Sequence, residues 1–442
     1  MRNRRIIFSV LALIGLIPAY SQEIYDLNRC ITTGLERNFS IQIARNRQEI
    51  SDKNYTLGNA GFMPSVDLSS RYGGTINNTT QTFSAGGDTS YNGIHNTTTS
   101  AAAILSWPLF QGFYAHTSYK KLGELRQVGE LNTQMAIEDF LADITSEYYY
   151  YIQQLQLYHN LGYAVSLSRE RVRIDQERYL LGASSKLQLL QSMVYLNSDS
   201  SRYARQNEVL RASQVRINRL MSSENLGQDI ILRDSNIIIH SNLMYDSLLN
   251  ATMRSNTSLL IARKNQTISE YDYKIIASRT YPYLNLSTGY NYSFNDYETG
   301  NFKNQQVDGF NYGLTLGVNL FDGFNLRREK ANANIEIQNR EYQYQQVDQQ
   351  VRADLITIYY AYQNNLLLLK LEEQNLETAR ENLEIALERY KLGSLSGLEL
   401  REVQQSLLEA EERLLSVQYQ TKLAEISLLL ISGRVMDYLT VS

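Results

Sequence analysis

The chain is written twice. Residues 177–190 read ERYLLGASSKLQLL and residues 388–401 read ERYKLGSLSGLELR, each position of the first segment returning 211 positions later. The same offset carries Leu109-Phe110-Gln111-Gly112-Phe113 onto Leu320-Phe321-Asp322-Gly323-Phe324, and Tyr148, Tyr149 and Tyr151 onto Tyr359, Tyr360 and Tyr362. Nearer the start of each half, Asn38 to Arg45 returns as Asn256 to Arg263, and Pro64 as Pro282, at an offset of 218. The first half therefore holds seven extra residues between Pro64 and Leu109. A period this long excludes a solenoid of short repeats. It predicts one large structural unit used twice about a pseudo-two-fold axis, with one tolerant loop.

The first 21 residues read as a secretory signal peptide. Arg2, Arg4 and Arg5 precede an apolar run from Ile6 to Ile17, followed by small residues up to Ser21. That run is too short to span a bilayer as a helix. Removing a leader with three arginines takes the formal net charge from −4 to −7, which gives no basic footprint for nucleic acid. One Cys excludes an intrachain disulfide framework, and four scattered His leave little for a metal site. No cofactor is expected.

Proline use sets the architecture. Beyond Pro108, the only proline is Pro282, and proline breaks helix interiors. Very long helices are thereby permitted: Gly112 to Gly182 is about 70 residues, roughly 100 Å as helix. Leu376, Leu383 and Tyr390 recur every seven residues, with Ala379, Ala386 and Gly393 three later; Val165, Val172 and Tyr179 do the same in the first half. Heptad spacing with small seam residues predicts antiparallel helices in coiled-coil contact. Gly182 and Gly393 close the helices, and Ser185 and Ser396 cap the next ones, so each duplicated motif is a helix–turn–helix tip.

Around each remaining Pro the period switches to two. Val66, Leu68, Tyr72 and Ile76 alternate with polar residues, as do Ala101, Ala103, Leu105, Trp107 and Leu109. In the second half Leu284, Leu286, Thr288, Tyr290, Tyr292 and Phe294 alternate likewise, and so do Phe310, Tyr312, Leu314, Leu316, Val318 and Leu320. This predicts four strands near 64–77, 97–110, 282–295 and 309–321, with polar hairpin loops at 77–97 and 295–309. One apolar face suits an outer-membrane barrel. Four strands cannot close a barrel, for which about eight is the smallest filled size, so the chain must share it with copies of itself. Residues 222–242 and 433–442 interrupt the helical pattern and read as a mixed belt, with small strands within Asp229 to Ile239.

These features together resemble TolC-type outer-membrane efflux proteins over essentially the whole mature chain. The most specific piece is the tip: Tyr179-x-x-Gly182-x-x-Ser185-x-x-Gln188-Leu189-Leu190, and Tyr390-x-x-Gly393-x-x-Ser396-x-x-Glu399-Leu400. The resemblance implies a mixed fold, a long antiparallel α-helical barrel plus a membrane β-barrel, both closed only in a homotrimer. It places a signal peptide at 1–21, a periplasmic helical barrel at 22–62, 113–221, 243–280 and 323–432, membrane strands and extracellular loops at 63–112 and 281–322, and an equatorial belt at 222–242 and 433–442. It implies an outer-membrane location among lipid, extending into the periplasm, and docking to a periplasmic adaptor and an inner-membrane transporter.

The same resemblance assigns residues. The docking tips fall on Tyr179, Gly182, Ser185, Leu187, Gly393, Ser396 and Leu398. The periplasmic gate falls on Glu399, Glu402 and Tyr390, with uncharged counterparts Gln188 and Gln191 in the first half. Where some members carry an Arg that latches the closed tip, this chain has Leu395. The function expected is an exit duct of an efflux or type I secretion system. The alternative is a trimeric envelope spacer or adhesin without transport. An enzyme is not expected: Gly393-Ser394-Leu395-Ser396-Gly397 lacks the spacing of a nucleophile elbow, and His95, His116 and His159 have no paired base.

Overall fold

The computed structural model describes residues 24–240, 242–299 and 302–439. The expected signal peptide, 1–21, and the tail residues 440–442 lie outside the described residues. In chain order the elements are β1 (Ile24–Tyr25), α1 (Leu27–Arg37), α2 (Phe39–Asn54), β2 (Ser65–Thr82), β3 (Asp88–Gln111), α3 (Tyr114–Leu180), α4 (Lys186–Leu220), β4 (Ile231–Leu232), α5 (Tyr245–Ser255), α6 (Thr257–Ser278), β5 (Tyr283–Asp296), β6 (Asn304–Gly317), α7 (Asn325–Lys391), α8 (Gly397–Ile431) and a 3₁₀ turn (Val435–Leu439). The chain falls into two units. The first holds residues up to Ile43, Met135–Asn256 and from Gln350 onward; the second holds Ala44–Gln134 and Thr257–Gln349.

The duplicated helices α3 and α7 have the same length, 67 residues each, and α4 and α8 match at 35. The start of each long helix is set by the repeated Gly-Phe pair. Gly112 and Phe113, like Gly323 and Phe324, all lie in the left-handed region, with φ between 59° and 68°. Two such residues in succession turn a strand sharply into a helix. A Cβ at Gly112 would fall 2.2 Å from the Ser278 carbonyl oxygen, so no other residue fits there. A phenylalanine in this conformation is strained; an edge-to-face contact offsets the strain in both copies, Phe110 on Phe113 and Phe321 on Phe324.

In the second unit the strands form one antiparallel sheet in the order β2-β3-β5-β6. The register aligns one apolar face across it: Leu68 opposite Ala103, Ala103 opposite Tyr290, Tyr290 opposite Phe310. Val66, Leu68, Tyr72 and Ile76 of β2 and Phe310, Tyr312, Leu314 and Leu316 of β6 stand exposed. The first hairpin departs from expectation. The predicted loop at 77–97 is mostly strand, since β2 runs to Thr82 and β3 begins at Asp88. Alternation of Thr, Asn and Ser there is polar on both faces and carried no period-two signal. The extra residues of the first half thus lengthen strands rather than a loop. The last strand is also displaced, ending at Gly317 rather than 321.

The first unit packs around Cys30, Ile31, Phe140, Ile144, Tyr148, Ile152, Ile217 and Met221. Burial pushes the Cys30 thiol up to about 12, which keeps it unreactive. The tyrosine runs hold the connecting segment. Tyr148 donates to Asp234 at 2.6 Å. The repeat-equivalent Tyr151 and Tyr362 donate to the backbone carbonyls of Ile230 and His240. Of the small strands expected between Asp229 and Ile239, only Ile231–Leu232 forms, pairing in parallel with Ile24–Tyr25. The rest is anchored by side chains instead.

Candidate functional site: the two helical tips

Both tips end their first helix in the same way. Gly182 (φ 71°) and Gly393 (φ 77°) occupy the left-handed position. The N–H of Ala183 donates to Arg178 and that of Gly182 to Tyr179; Ser394 and Gly393 repeat the pattern on Arg389 and Tyr390. These paired bonds satisfy the last helical carbonyls, and they need glycine at one position only. Ser185 and Ser396 then cap α4 and α8, accepting from Gln188 N–H at 3.3 Å and Glu399 N–H at 3.2 Å.

From this shared turn the side chains diverge. Glu399 completes a capping box, its carboxylate accepting the Ser396 N–H at 2.9 Å. Hydrogen bonding to the Ser396 side chain, and then to its backbone N–H, holds the Glu399 carboxyl below the usual carboxylate value. Gln188 does not fold back. It accepts from Ser184 at 3.0 Å and donates to Asp175 at 3.3 Å. Glu402, three residues after Glu399, is exposed and has no polar partner among the described residues. The two predicted gate carboxylates are thus both solvent-facing, but Glu399 also serves its own helix.

Tyr390, the third predicted gate residue, is 1% exposed, while its counterpart Tyr179 is 40% exposed. The Tyr390 hydroxyl donates to Asp175 of α3. Burial, and then that hydrogen bond, raise the Tyr390 hydroxyl above the ordinary tyrosine value. Arg178 lies 4.8 Å over the Tyr390 ring and donates to the Tyr390 carbonyl. The two tips are therefore tied by a tyrosine, an aspartate and an arginine. A second tie sits further from the turns. Buried Asp199 of α4 takes both Arg401 nitrogens at 2.7 and 2.8 Å and the Ser168 hydroxyl at 2.5 Å. The Tyr195 ring lies between Arg401 and Arg171, with guanidinium carbons at 5.0 and 5.1 Å.

The predicted tip leucines Leu187 and Leu398 are exposed, and so are Leu181 and Leu392, at 83% and 81%. The structure thus adds two leucines to the apolar tip surface. Sequence reasoning also missed Asp175, Arg178, Asp199 and Arg401. A signal existed: at the 211 offset, Asp175 and Asp199 stand where the second half has Ala386 and Ala410. The expected first-half heptad of Val165, Val172 and Tyr179 is only partly covered; the buried seam there is Leu161, Ala164, Ser168, Arg171 and Asp175.

Three comparisons bear on this arrangement. The outer membrane efflux protein family model matches residues 248–434. That match lies within the second repeat and is shorter than half of the chain. The outer membrane protein TolC of Vibrio cholerae is 26% identical over 192 residues. That match spans 41% of this chain and 42% of TolC, under half the length of either. Nodulation protein T of Rhizobium leguminosarum bv. trifolii is 23% identical over 404 residues, 86% of this chain and 79% of that protein. In fold, the outer membrane protein VceC of Vibrio cholerae superposes with a TM-score of 0.74 over 92% of this chain and 96% of VceC, at 18% identity. The fold shared with VceC is thus carried here by a largely helical chain whose exposed apolar face is a sheet. Among the described residues no helix is long and apolar enough to cross a membrane.

Proposed function

We propose that this chain belongs to the outer membrane efflux family whose model it matches, and that it is the outer-membrane exit duct of a multi-component export machine, a passive conduit formed by three copies. The sheet carries this reading. Its eight named apolar side chains on β2 and β6 would each cost about 1.5–3 kcal/mol to leave in water. The sum, roughly 12–24 kcal/mol, rivals the whole stability of a domain, about 5–15 kcal/mol. Lipid removes that cost. The edges β2 and β6 have no strand partner among the described residues, and four strands fall short of closure. Copies of the same chain supply the missing strands, and three give a barrel of twelve. The exposed tip leucines suit docking to a periplasmic adaptor, which in turn engages an inner-membrane transporter.

Glu399 and Glu402 form carboxylate rings at the periplasmic entrance, and Tyr390 with Asp175 holds the tip shut. The test uses full-length protein extracted in detergent. Its mass should be that of a trimer, and it should conduct ions in planar bilayers with block by multivalent cations. Changing Glu399→Gln and Glu402→Gln together should weaken block and cation preference without dissociating the trimer. A monodisperse monomer, or a trimer that conducts nothing, refutes the duct. Unchanged block in the double variant refutes the gate assignment alone.

A further inference from the structure

Between the two tip turns lies a groove of about 250 Å³, lined by Arg171, Ser185, Leu187, Gln191, Gly397 and Leu398. The N-termini of α4 and α8, each 35 residues long, open onto it. A helix start carries about half a positive charge and leaves its first N–H groups unsatisfied. Here the N–H groups of Lys186, Leu187, Gly397 and Leu398 have no acceptor among the described residues. The first turn of α4 carries no acid and opens with Lys186. Against these two positive ends stands a third positive group. Arg171 is 4% exposed, and its Nε and Nη1 are buried without a hydrogen-bond partner. The nearest carboxylate oxygen, Oδ2 of Asp175, is 3.8 Å from Nε, too far for a hydrogen bond. The other Asp175 oxygen is occupied by Tyr390 and Gln188. A Cβ at position 397 would fall 2.9 Å from Arg171 Nη2, so the guanidinium reaches the start of α8 only because that residue is glycine.

Arg171 meets the start of α8, and its one carboxylate neighbour, Asp175, leaves two guanidinium nitrogens and the opening N–H groups of both helices without a hydrogen-bond acceptor among the described residues. We propose that the groove binds a small monovalent anion of halide size, held by Arg171 and the free N–H groups opening α4 and α8. Bound there, the ion links the two tips through backbone donors, independently of any transport role. Helix N-termini bind anions in this manner generally; the buried, under-satisfied arginine is what makes this pair a site.

The test uses the full-length protein in detergent, with sodium bromide titrated against sodium gluconate at constant ionic strength. Bromide should raise the unfolding temperature saturably, and crystals grown in bromide should show an anomalous peak beside Arg171. Arg171→Gln should abolish the saturable rise. Lys186→Pro tests the backbone donors without touching Arg171. Proline is accepted at the first helical position, and Ser185 already has the extended backbone that must precede it, φ −81° and ψ 151°. It should weaken bromide affinity several-fold relative to Lys186→Gln, which removes only the charge. If Arg171→Gln does not fold, the two Lys186 variants decide alone. The proposal is overturned by a groove without bromide, by equal bromide response in Arg171→Gln, or by equal affinity in the two Lys186 variants.

Discussion

Tyr390 of the second tip packs with Leu383, Leu400 and Leu407, shut away from water; Tyr179, on an equivalent turn, faces solvent. The turns themselves share the left-handed glycine, the paired bonds that close the first helix and the serine cap. The difference lies in the seam behind them. Behind the second tip it is apolar and small: Leu376, Leu383, Ala386, Leu407 and Ala410. Behind the first it is polar: Ser168, Arg171, Asp175 and Asp199. A turn needs a few backbone bonds and one residue without a side chain, so it tolerates divergence around it. A seam defines its partners through every side chain. The first tip has exchanged apolar packing for charged groups that grip the second tip, and the asymmetry makes a single chain's two halves complementary rather than identical.

Making the first seam resemble the second should have the largest effect. Asp199→Ala installs the residue found at 410 and strands the largely covered Arg401. Loss of one partner of a buried pair costs about 3–5 kcal/mol, read as a fall in the urea midpoint of the detergent-solubilised protein. Adding Arg401→Leu, the residue found at Leu190 in the first half, should recover most of it, because apolar replacement of a buried pair is often near neutral. No recovery would mean that the pair does more than compensate its own burial. A smaller effect separates the two tyrosines. Tyr390→Phe leaves Asp175 Oδ1 with Gln188 as its one donor and should cost about 1–3 kcal/mol. Tyr179→Phe should stay within about 0.5 kcal/mol. Equal losses would erase the distinction between the tips.

The smallest effect concerns the caps and has a definite sign. The Glu399 carboxyl is depressed by its bond to Ser396, so the stability it adds is present above its unfolded value, about 4.3. It is lost as pH falls through the lower folded value. Glu399→Gln should flatten the acid limb of the stability profile below about pH 4.3. Gln188→Glu should not create a matching limb unless residue 188 turns from Asp175 to its own cap. Hydrogen-exchange rates of the two first turns, measured from pH 3 to 6, would show either outcome.

Most of the architecture was readable because it rests on period and punctuation. Heptads, absent proline, glycine stops and period-two alternation located the long helices, the tips and the apolar parts of all four strands. The failures have one physical cause. Where alternation carries no hydropathy contrast, as at Thr79, Thr80, Ser90 and Thr97 through Thr99, strand and loop look alike in one dimension. The second failure concerned partners. Glu399, Glu402 and Tyr390 were found by their place after a turn. Asp175 and Asp199 were not, because each meets its partner only across the fold, Tyr390 in one case and Arg401 in the other. Their substitution for alanine at the repeat offset was the available clue.

The central pairing of the sheet sets an order of events. β3 joins β5 from Thr97 opposite Asp296 to Gln111 opposite Tyr283, with one register shift between Pro108 and Phe110. Each hairpin is local in sequence and can form within microseconds. The seam between them bridges almost half the chain, so its loop-closure entropy must be spent before any of its bonds repay it. Emerging N-terminus first, the chain finishes its first hairpin long before the strand that covers that hairpin's inner edge exists. Sheet completion is therefore gated by the delivery of the second repeat, and any pause after Gln111 exposes an unpaired apolar ribbon to whatever escorts the nascent chain.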